Sequence, residues 1–434
     1  MKKKVLNVLI LSSLSFGLDF GDMGNTSISM GGAGVALESS AFGAYYNPAL
    51  ISIDNKVRFG YTFGGRYQQK NIDRLTKFNF QNMLDNAAAL QPNGTGQNNL
   101  DKDKVATLYE DITTLNDIFN QNHLSFTSQN GISLQLSPAA MRGSFGSLGI
   151  AYFASLYSNI SANSNISDMK FIIENNNQYY EVNADGTTSG SNKTSYENNS
   201  LIYAIQNDKI GSITTRNFLL SEVPLSYART FFFKNSNLNL GINLKYLNAI
   251  LFEKDVTIGK NTNINSIISS FKTQSNLKSR HGFGVDLGVT YGLDLPKFRY
   301  LTFGFVAKNI NTPTFDFDST KIQIKPQYRV GMAYNQPYVT LAFDADILPN
   351  EIFSYSHEKQ YSQMIGGGLK FDLKTIDMRI GAMKDLRQDN GLILTSGFNI
   401  LGLFDIAFQI GTKAGYNNYI PRYMALQIGG SFSF

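Results

Sequence analysis

The chain has 434 residues, a formal net charge of +5, no cysteine and no tryptophan. The lack of cysteine excludes a disulfide framework and thiolate metal sites, and the small, dispersed positive charge gives no reason to expect a nucleic-acid partner. Hydrophobic residues make up 42% of the chain, charged residues only 16%, and there are 32 phenylalanines and 23 tyrosines. Aromatic enrichment without long apolar runs is typical of β-strands rather than helices.

The first residues have the pattern of an export signal. Three lysines at positions 2–4 precede an apolar run over residues 5–14, and small residues follow at Ser15 and Gly17. An apolar run of about ten residues is too short to span a membrane as a helix, which takes roughly twenty. Residues 1–17 are therefore predicted to be a signal peptide that is removed after export.

Residues 31–50, GGAGVALESSAFGAYYNPAL, are small, apolar and glycine-rich, with one charged residue, Glu38. Helical spacing is possible over residues 39–46, and Pro48 is expected to end that helix because proline lacks an amide hydrogen. A compact and weakly polar segment of this kind fits inside a wider structure. The residues on which this prediction depends are Gly31, Gly32, Gly34, Tyr45, Tyr46, Asn47, Pro48 and Ala49.

GGAGVA followed by YYNPA resembles the N-terminal hatch of FadL-type outer-membrane transporters for long-chain fatty acids and other hydrophobic compounds. It is also similar to the related TraF-like barrels of conjugal-transfer operons and the PorV-like barrels of secretion systems. The resemblance is local and covers residues 31–50. It implies a β-barrel whose lumen holds residues 18–55 as a hatch, or plug. The alternative is an ordinary glycine-rich helix and turn packed on a soluble core.

The next segment, residues 56–66, alternates Val57, Phe59 and Tyr61 with Arg58 and Gly60, the two-residue period of a strand with one apolar face. Similar alternation predicts thirteen more strands. They lie at residues 131–138, 145–156, 223–234, 238–250, 281–293, 300–309, 327–335, 338–346, 361–373, 376–384, 391–400, 403–412 and 422–434.

The connections between these strands alternate between long and short without a break. Transmembrane barrels have this property because one rim carries tight periplasmic turns and the other carries the outer loops. The predicted fold is therefore all-β: a transmembrane antiparallel β-barrel of about 14 strands over residues 56–434, with an N-terminal luminal hatch over residues 18–55. Long outer loops are predicted at residues 67–130 and 157–216.

The two long loops differ in composition. Val105, Leu108, Ile112, Leu115 and Phe119 recur at helical spacing, so an amphipathic helix is expected in the first loop, with a second helix at residues 75–90. The second loop is rich in Asn and Ser and is expected to be a polar surface loop with, at most, a small hairpin.

The last strand presents Phe432 and Phe434 outward and ends the sequence on an aromatic residue. This ending resembles the C-terminal signal that bacterial outer-membrane assembly machinery reads. It makes that machinery an expected partner, through Phe432 and Phe434.

No constellation for catalysis is recognised. His123, His281 and His357 lie in unrelated contexts, and no nucleophile elbow, phosphate loop or zinc signature occurs. Gly366–Gly368 lie within an alternating strand, which favours close packing or a bend over phosphate binding. Asp344 and Asp346 share a strand face, where a solvated or arginine-paired carboxylate is expected. The chain is predicted not to be an enzyme and to need no cofactor or metal.

Two functions fit these patterns. The first is an outer-membrane, FadL-like channel that takes up hydrophobic or amphipathic small molecules and is closed by the hatch. The second is a TraF-like or PorV-like barrel whose outer loops dock a protein of a transfer or secretion system. The expected location is the outer membrane, in contact with its lipid. The helices are predicted in the first outer loop, whereas the fatty-acid transporters carry theirs later, so no ligand residues are transferred from that family.

Overall fold

A computed structural model describes residues 18–433, except residues 39, 54, 72–73, 75–76, 91–99, 121, 137–145, 165, 259–276, 318–319, 354–359, 374 and 416–419. Fourteen strands form one closed barrel in which sequence neighbours pair antiparallel and the first strand pairs with the last. The predicted fold class is confirmed. We number the barrel strands β1 Arg58–Lys70, β2 His123–Leu136, β3 Ser147–Ser164, β4 Gly211–Phe232, β5 Ser236–Ile258, β6 Lys278–Leu295, β7 Arg299–Lys308, β8 Gln327–Asn335, β9 Val339–Asp346, β10 Met364–Asp372, β11 Ile376–Asp385, β12 Leu392–Ile400, β13 Phe404–Gly411 and β14 Tyr423–Ser433.

The barrel has two unlike rims. The short rim carries the connections at residues 233–235, 296–298, 336–338, 373–375 and 401–403, together with the start of β1 and the end of β14. The long rim carries the remaining connections between β1 and β2, β3 and β4, and so on along the chain. Pairing of β1 with β14, for example Phe59 with Phe432, removes the open edge that would otherwise invite association.

Alternation along each strand divides the wall into two faces. In β5, Asn239, Asn243 and Lys245 are buried, whereas Leu244 and Tyr246 are exposed. Successive side chains of a strand point to opposite faces, so one face is polar and covered while the other is apolar and open.

Four strands extend further towards the long rim than the sequence predicts. The strand β2 begins at His123 rather than at residue 131, and β3 continues to Ser164. The strand β4 begins at Gly211, and β5 continues to Ile258. The parts added to β2, β3 and β4 are rich in Ser, Thr and Asn, and the part added to β5 lacks a regular apolar alternation. The loops predicted at residues 67–130 and 157–216 are therefore shorter than expected.

A separate structure, which we call the cap, is built from residues 78–90, 100–120 and 166–210 at the long rim. It contains a three-stranded sheet, Ile172–Asn175, Gln178–Val182 and Thr188–Ser191. The described helices are α1 Asn25–Ser29, α2 Gly43–Tyr46, α3 Phe80–Ala88, α4 Lys102–Asn120, α5 Lys193–Asn199 and α6 Leu201–Gln206, with 3₁₀ turns at Pro48–Ser52 and Ile166–Asp168. No helix among the described residues is both long and apolar enough to cross a membrane.

The cap corrects the prediction of a polar loop at residues 157–216. Phe171, Ile173, Leu201 and Ile205 are buried and pack with Leu108 of α4 in one hydrophobic cluster. The two predicted helices of the first loop, observed as α3 and α4, supply the other half of this core. The apolar residues of the second loop are few, but they meet those of the first loop, so the two loops fold as one unit.

Candidate functional site: the N-terminal segment within the barrel

Residues 18–53, which we call the N-terminal segment, lie against the inner face of the wall. From Leu18 to Ser52 every described side chain is buried or half-buried. Asn25 Nδ2 donates to the carbonyl oxygens of Asp405 in β13 and Gln427 in β14. On the other side, Asn243 in β5 donates to the carbonyl oxygen of Ala44 at 2.9 Å. A segment held by strands on opposite sides of a closed barrel occupies its lumen.

Glycines of the wall make room for this segment. A Cβ at Gly304 would lie 2.5 Å from Val35 O, and one at Gly381 would lie 2.7 Å from Gly31 N. Further inward glycines face the segment from five other strands. They are Gly241, Gly288, Gly331, Gly368 and Gly397. The alternation pattern placed glycine at inward positions, but the sequence did not show that these glycines meet the N-terminal segment.

Wall side chains satisfy backbone groups of the segment, which has little regular structure. Asp344 Oδ2 accepts from Gly34 N at 2.8 Å and from Val35 N at 2.9 Å. Gly31 N donates to Thr395 Oγ1 at 3.0 Å, and Gln135 donates to the carbonyl oxygen of Ala41 at 2.7 Å. Buried backbone groups need such partners, so these contacts hold the segment in one conformation.

Asn47 contacts both the segment and the wall. Its Nδ2 lies 3.0 Å from Val35 O, 3.1 Å from Val289 O of β6 and 3.3 Å from Phe305 O of β7. Its Oδ1 accepts from Ala49 N at 3.0 Å and thereby caps the 3₁₀ turn Pro48–Ser52. Asn47 therefore joins two parts of the segment to two wall strands.

The other predicted hatch residues have distinct surroundings. Gly31 and Gly32 have φ angles of 66° and 76°, which favour glycine, and Gly31 also lies directly on the backbone of β10 and β11. Gly34 packs on the ring of Tyr46 within the segment rather than on the wall. Tyr46 OH accepts from Met23 N at 2.8 Å, and Tyr45 stacks edge-on against it.

The helix before Pro48 is shorter than predicted. The helix α2 ends at Tyr46, as expected, but it starts at Gly43 rather than at residue 39, and Pro48 starts the following 3₁₀ turn. Proline suits the first position of a helical turn, because its missing amide hydrogen would have no partner there.

The start of the segment is held mainly by charged side chains. Asp19 forms a salt bridge with Arg66 of β1. The ring of Phe20 lies between two cations, with Lys308 Nζ 4.6 Å and Arg329 Cζ 3.8 Å from its centroid. Lys308 Nζ also lies 3.6 Å from the centre of the Tyr45 ring. Such cation–π contacts are strongest where water is excluded.

Burial raises the pKa of Asp22, although Arg66 and Arg329 oppose this shift and Asp19 and Asp346 reinforce it. A carboxyl group with a raised pKa in the folded protein favours the folded state only in acid, and this contribution is lost as the pH rises through the raised pKa. Replacing Asp22 by asparagine is therefore expected to raise the thermal unfolding temperature at neutral pH. The difference should disappear below the ordinary aspartate pKa, and an equal difference at every pH would contradict the assignment.

A narrow cleft with a cavity volume of about 40 Å³ opens on the long-rim side of the segment. Its floor is Asp19, Phe20 and Asp22, and its sides carry both apolar and polar groups. They include Tyr157, Phe353, Met364, Ile393, Tyr423, Arg66, Gln68, His123 and Asn390. A second, polar cavity of about 440 Å³ lies on the short-rim side, lined among others by Thr26, Arg58 and Lys370. Residues of the segment line both cavities.

Most inward charges of the wall pair with each other. Lys245 Nζ lies 2.9 Å from Asp286 and 3.2 Å from Glu222. Arg329 Nε lies 2.6 Å from Asp346 Oδ1. Asp346 is thus paired with an arginine, as the sequence predicted for the carboxylates of Asp344 and Asp346. Asp344, the other carboxylate, instead accepts from the N-terminal segment, so it is neither solvated nor paired with arginine.

The remaining predicted residues lie apart from this site. Phe432 stacks on Phe59 with ring centroids 6.3 Å apart, whereas Phe434 lies outside the described residues, as does His357. His123 is buried at the start of β2, and His281 stacks on Tyr246. Within the described ranges, no group of three or more His, Cys, Asp and Glu side chains could hold a metal ion.

Comparisons with solved structures show distant likeness. The Ralstonia pickettii toluene transporter TbuX is 10% identical, with 96% of this chain and 98% of that chain covered and a TM-score of 0.43. The P. putida toluene transporter TodX is 11% identical, with the same coverage and a TM-score of 0.42. A Pseudomonas aeruginosa FadL homologue is 9% identical, with a TM-score of 0.36.

A search of curated proteins finds no match to this sequence. A family model described as "F plasmid transfer operon, TraF, protein" matches residues 44–346, which is more than half of the chain. The matched range contains the YYNPA motif, the cap and the strands β1–β9. The resemblance to TraF-like barrels is thereby confirmed, and the chain belongs to the TraF family.

Proposed function

We propose that this protein is an outer-membrane barrel in which the N-terminal segment acts as a hatch, and that it takes up hydrophobic or amphipathic small molecules. The outward face of the wall supports the membrane location. Phe303 and Phe305 of β7, Leu341 and Phe343 of β9, and Leu426 of β14 are all exposed. An apolar band of outward side chains around a closed barrel is the surface that lipid requires.

In this proposal the long rim and its cap face the cell exterior. An epitope tag between Ala184 and Asp185, in an exposed turn of the cap, should then bind antibody on intact cells. A tag at Asn235, on the short rim, should bind antibody only after the membrane is permeabilised. Labelling of both tags, or of neither, on intact cells would contradict this orientation.

The cleft above the hatch is the observation that carries the proposed activity. Its apolar side chains, including Tyr157, Met364 and Ile393, lie next to polar ones, which suits a ligand with an apolar body and a polar end. Burial of apolar surface, at about 25 cal/mol per Å², supplies the binding free energy. No covalent step is needed.

The test is the binding and uptake of a fluorescent single-chain fatty acid by the purified barrel in lipid vesicles. Met364→Glu should weaken binding about tenfold or more, because it places a charge against the apolar body of the ligand. Met364→Leu, which conserves volume, should bind like the native protein. Equal binding by all three proteins, or no uptake by the native one, would contradict the proposal.

The cap favours a second candidate function, a barrel that docks a partner protein. It has its own hydrophobic core, and the half-buried rings of Tyr179 and Tyr203 pack against the buried ring of Tyr196. A photo-crosslinker at the exposed Glu197 should then yield a discrete protein adduct in cells, and one at the outward Phe343 should not. Absence of adducts from cap positions would remove this candidate.

We also propose that β14 carries the assembly signal. Deleting Phe434 should lower the yield of heat-modifiable barrel in the membrane while export across the inner membrane stays intact, because β14 must pair with β1 to close the wall. The control is the deletion of Thr187, a residue of the cap, which leaves β14 unchanged. A normal barrel yield without Phe434 would count against this role.

A further inference from the structure

The cleft above the N-terminal segment is too small, as it stands, for the whole of an amphipathic ligand. Its volume of about 40 Å³ holds about three water molecules, because one buried water needs roughly 10–15 Å³ of such space. The cleft therefore has room for the polar end of a ligand, and the apolar body must find its space next to it.

Beside the cleft, the lumen contains a layer of apolar side chains. Inward residues of β4 and β5 change from polar to apolar on the long-rim side of the ion pair between Glu222 and Lys245. The wall and the neighbouring segments supply eight buried members of this layer. They are Leu18, Tyr157, Phe218, Leu220, Leu247, Ala249, Leu251 and Phe353. The lumen of a membrane barrel is usually polar, so an apolar layer inside it needs an apolar occupant.

The present occupant is a hairpin of the chain itself, in the connection between β7 and β8. Its two strands, Thr314–Asp316 and Lys321–Gln323, pair with each other and not with the wall, and we call it the lumen hairpin. Four side chains of the lumen hairpin and its end are almost fully buried in the layer. They are Phe315, Phe317, Ile322 and Ile324.

Aromatic rings connect the lumen hairpin to the cleft. The centroid of the Phe218 ring in β4 lies 6.4 Å from that of Phe315 in the hairpin. On its other sides, Phe218 lies 6.4 Å from Tyr157 and 5.6 Å from Phe353, and both of these residues line the cleft. The space that Phe315 fills is therefore one ring away from the cleft.

The wall provides a fitted place for the Phe315 ring. A Cβ at Gly282, an inward position of β6, would lie 3.1 Å from this ring. Glycine at this position therefore leaves a recess of the width of one aromatic ring between β6 and Phe218.

The lumen hairpin can leave this recess without breaking the wall. Phe317 N donates to Thr320 O at 2.9 Å, within the hairpin, and this bond moves with it. Towards the wall, Arg280 donates to Asp316 O, and Thr320 Oγ1 donates to Glu253 at 3.4 Å. The apolar packing that the hairpin would lose can be replaced by an apolar ligand, because such packing is not directional.

We propose that the lumen hairpin occupies the binding site for the apolar body of the ligand. The ligand displaces the Phe315 ring from the recess between Phe218 and Gly282, and its polar end stays in the cleft. Because the recess has the width of one phenylalanine ring, the apolar body is a single unbranched chain or a single ring. This inference rests on the proposed uptake function.

The first test is the affinity of the barrel in lipid vesicles for a fluorescent single-chain fatty acid. Phe315→Ala should bind it about tenfold more tightly than the native protein, because the ligand no longer has to displace the ring. Phe305→Ala, which removes an outward ring of β7, is the matched control and should bind like the native protein. Heat modifiability shows that each variant is a folded barrel. Equal affinity of the native protein and Phe315→Ala would overturn the inference.

The second test uses tryptophan, which the natural sequence lacks, so that each variant reports one position. Stearic acid brominated in the middle of its chain should quench Phe218→Trp until the site is saturated. It should quench the outward Phe343→Trp only in proportion to the acid dissolved in the lipid. Unbrominated stearic acid should shift the emission of Phe317→Trp to longer wavelength, because this ring leaves an apolar cluster for water.

The outcomes separate the inference from the function on which it rests. Binding of the fatty acid without saturable quenching at position 218, or without the shift at position 317, would overturn the inference and leave the uptake function standing. Absence of binding by the native protein and by Phe315→Ala would overturn the proposed function, and the inference with it.

Discussion

A variant that lacks residues 20–45 is expected to fold as a barrel and to conduct ions through an open lumen. The strands β1–β14 pair with one another and not with these residues, so the wall keeps its hydrogen bonds. Removal of the segment would join the cleft of the long rim to the short-rim cavity of about 440 Å³. A lumen of fourteen strands is too wide for wall side chains alone to fill.

Single-channel recording in planar bilayers measures this effect. The intact protein should be closed for most of the record, and the variant should show a large, steady conductance and lose selectivity in the uptake of a hydrophobic probe. Heat modifiability of the variant on gels is the control for a folded barrel. A folded variant whose conductance equals that of the intact protein would show that residues 20–45 do not block the lumen.

Asn47→Ala is expected to loosen the hatch without removing it. The change removes an amide group that lies within hydrogen-bonding distance of the carbonyl oxygens of Val35, Val289 and Phe305, and it removes the acceptor of Ala49 N. Only the contacts to Val289 and Phe305 join the segment to the wall, so at about 1 kcal/mol per bond the loss of docking free energy is about 2 kcal/mol. Frequent short openings in single-channel records and faster proteolysis of the segment would measure this loss.

Asn243→Ala is the matched control, because Asn243 donates a single hydrogen bond to the segment, at Ala44 O, and another to Asp286. Its effect should be about 1 kcal/mol on hatch docking and its openings correspondingly rarer. Asn47→Asp should resemble Asn47→Ala, since a carboxylate cannot donate to the three carbonyl groups. If Asn47→Ala and Asn243→Ala opened equally often, Asn47 would not be the main link between hatch and wall.

The sequence by itself determined the barrel. Each wall strand has apolar surroundings on one face and a polar lumen on the other. Its sequence therefore alternates between apolar and polar residues, such as Leu244 and Lys245, and this pattern predicts the strand without any tertiary information. The regular alternation of long and short connections then gave the two rims. The helical spacing of Val105, Leu108 and Leu115 likewise predicted α4, because a surface helix needs one apolar face.

Only the tertiary structure decided the lengths of β2–β5 and the existence of the cap. Above the apolar band the strands have no lipid on either side, so their sequences lose alternation and resemble loops. The apolar residues of the cap are scattered between residues 83 and 210, and they form a core only when both insertions pack together. No local sequence pattern predicts that the two insertions pack together.

The candidate site, too, was predicted only in part from the sequence. The sequence predicted special roles for Gly31, Asn47 and Pro48, because glycine permits backbone angles that other residues avoid, proline fixes its own φ angle and asparagine bonds to nearby backbone groups. It did not show that Asn47 bonds to β6 and β7, or that Asp344 accepts from Gly34 rather than from an arginine. Those partners lie more than two hundred residues away along the chain, and closure of the barrel around the N-terminal segment is what brings them together.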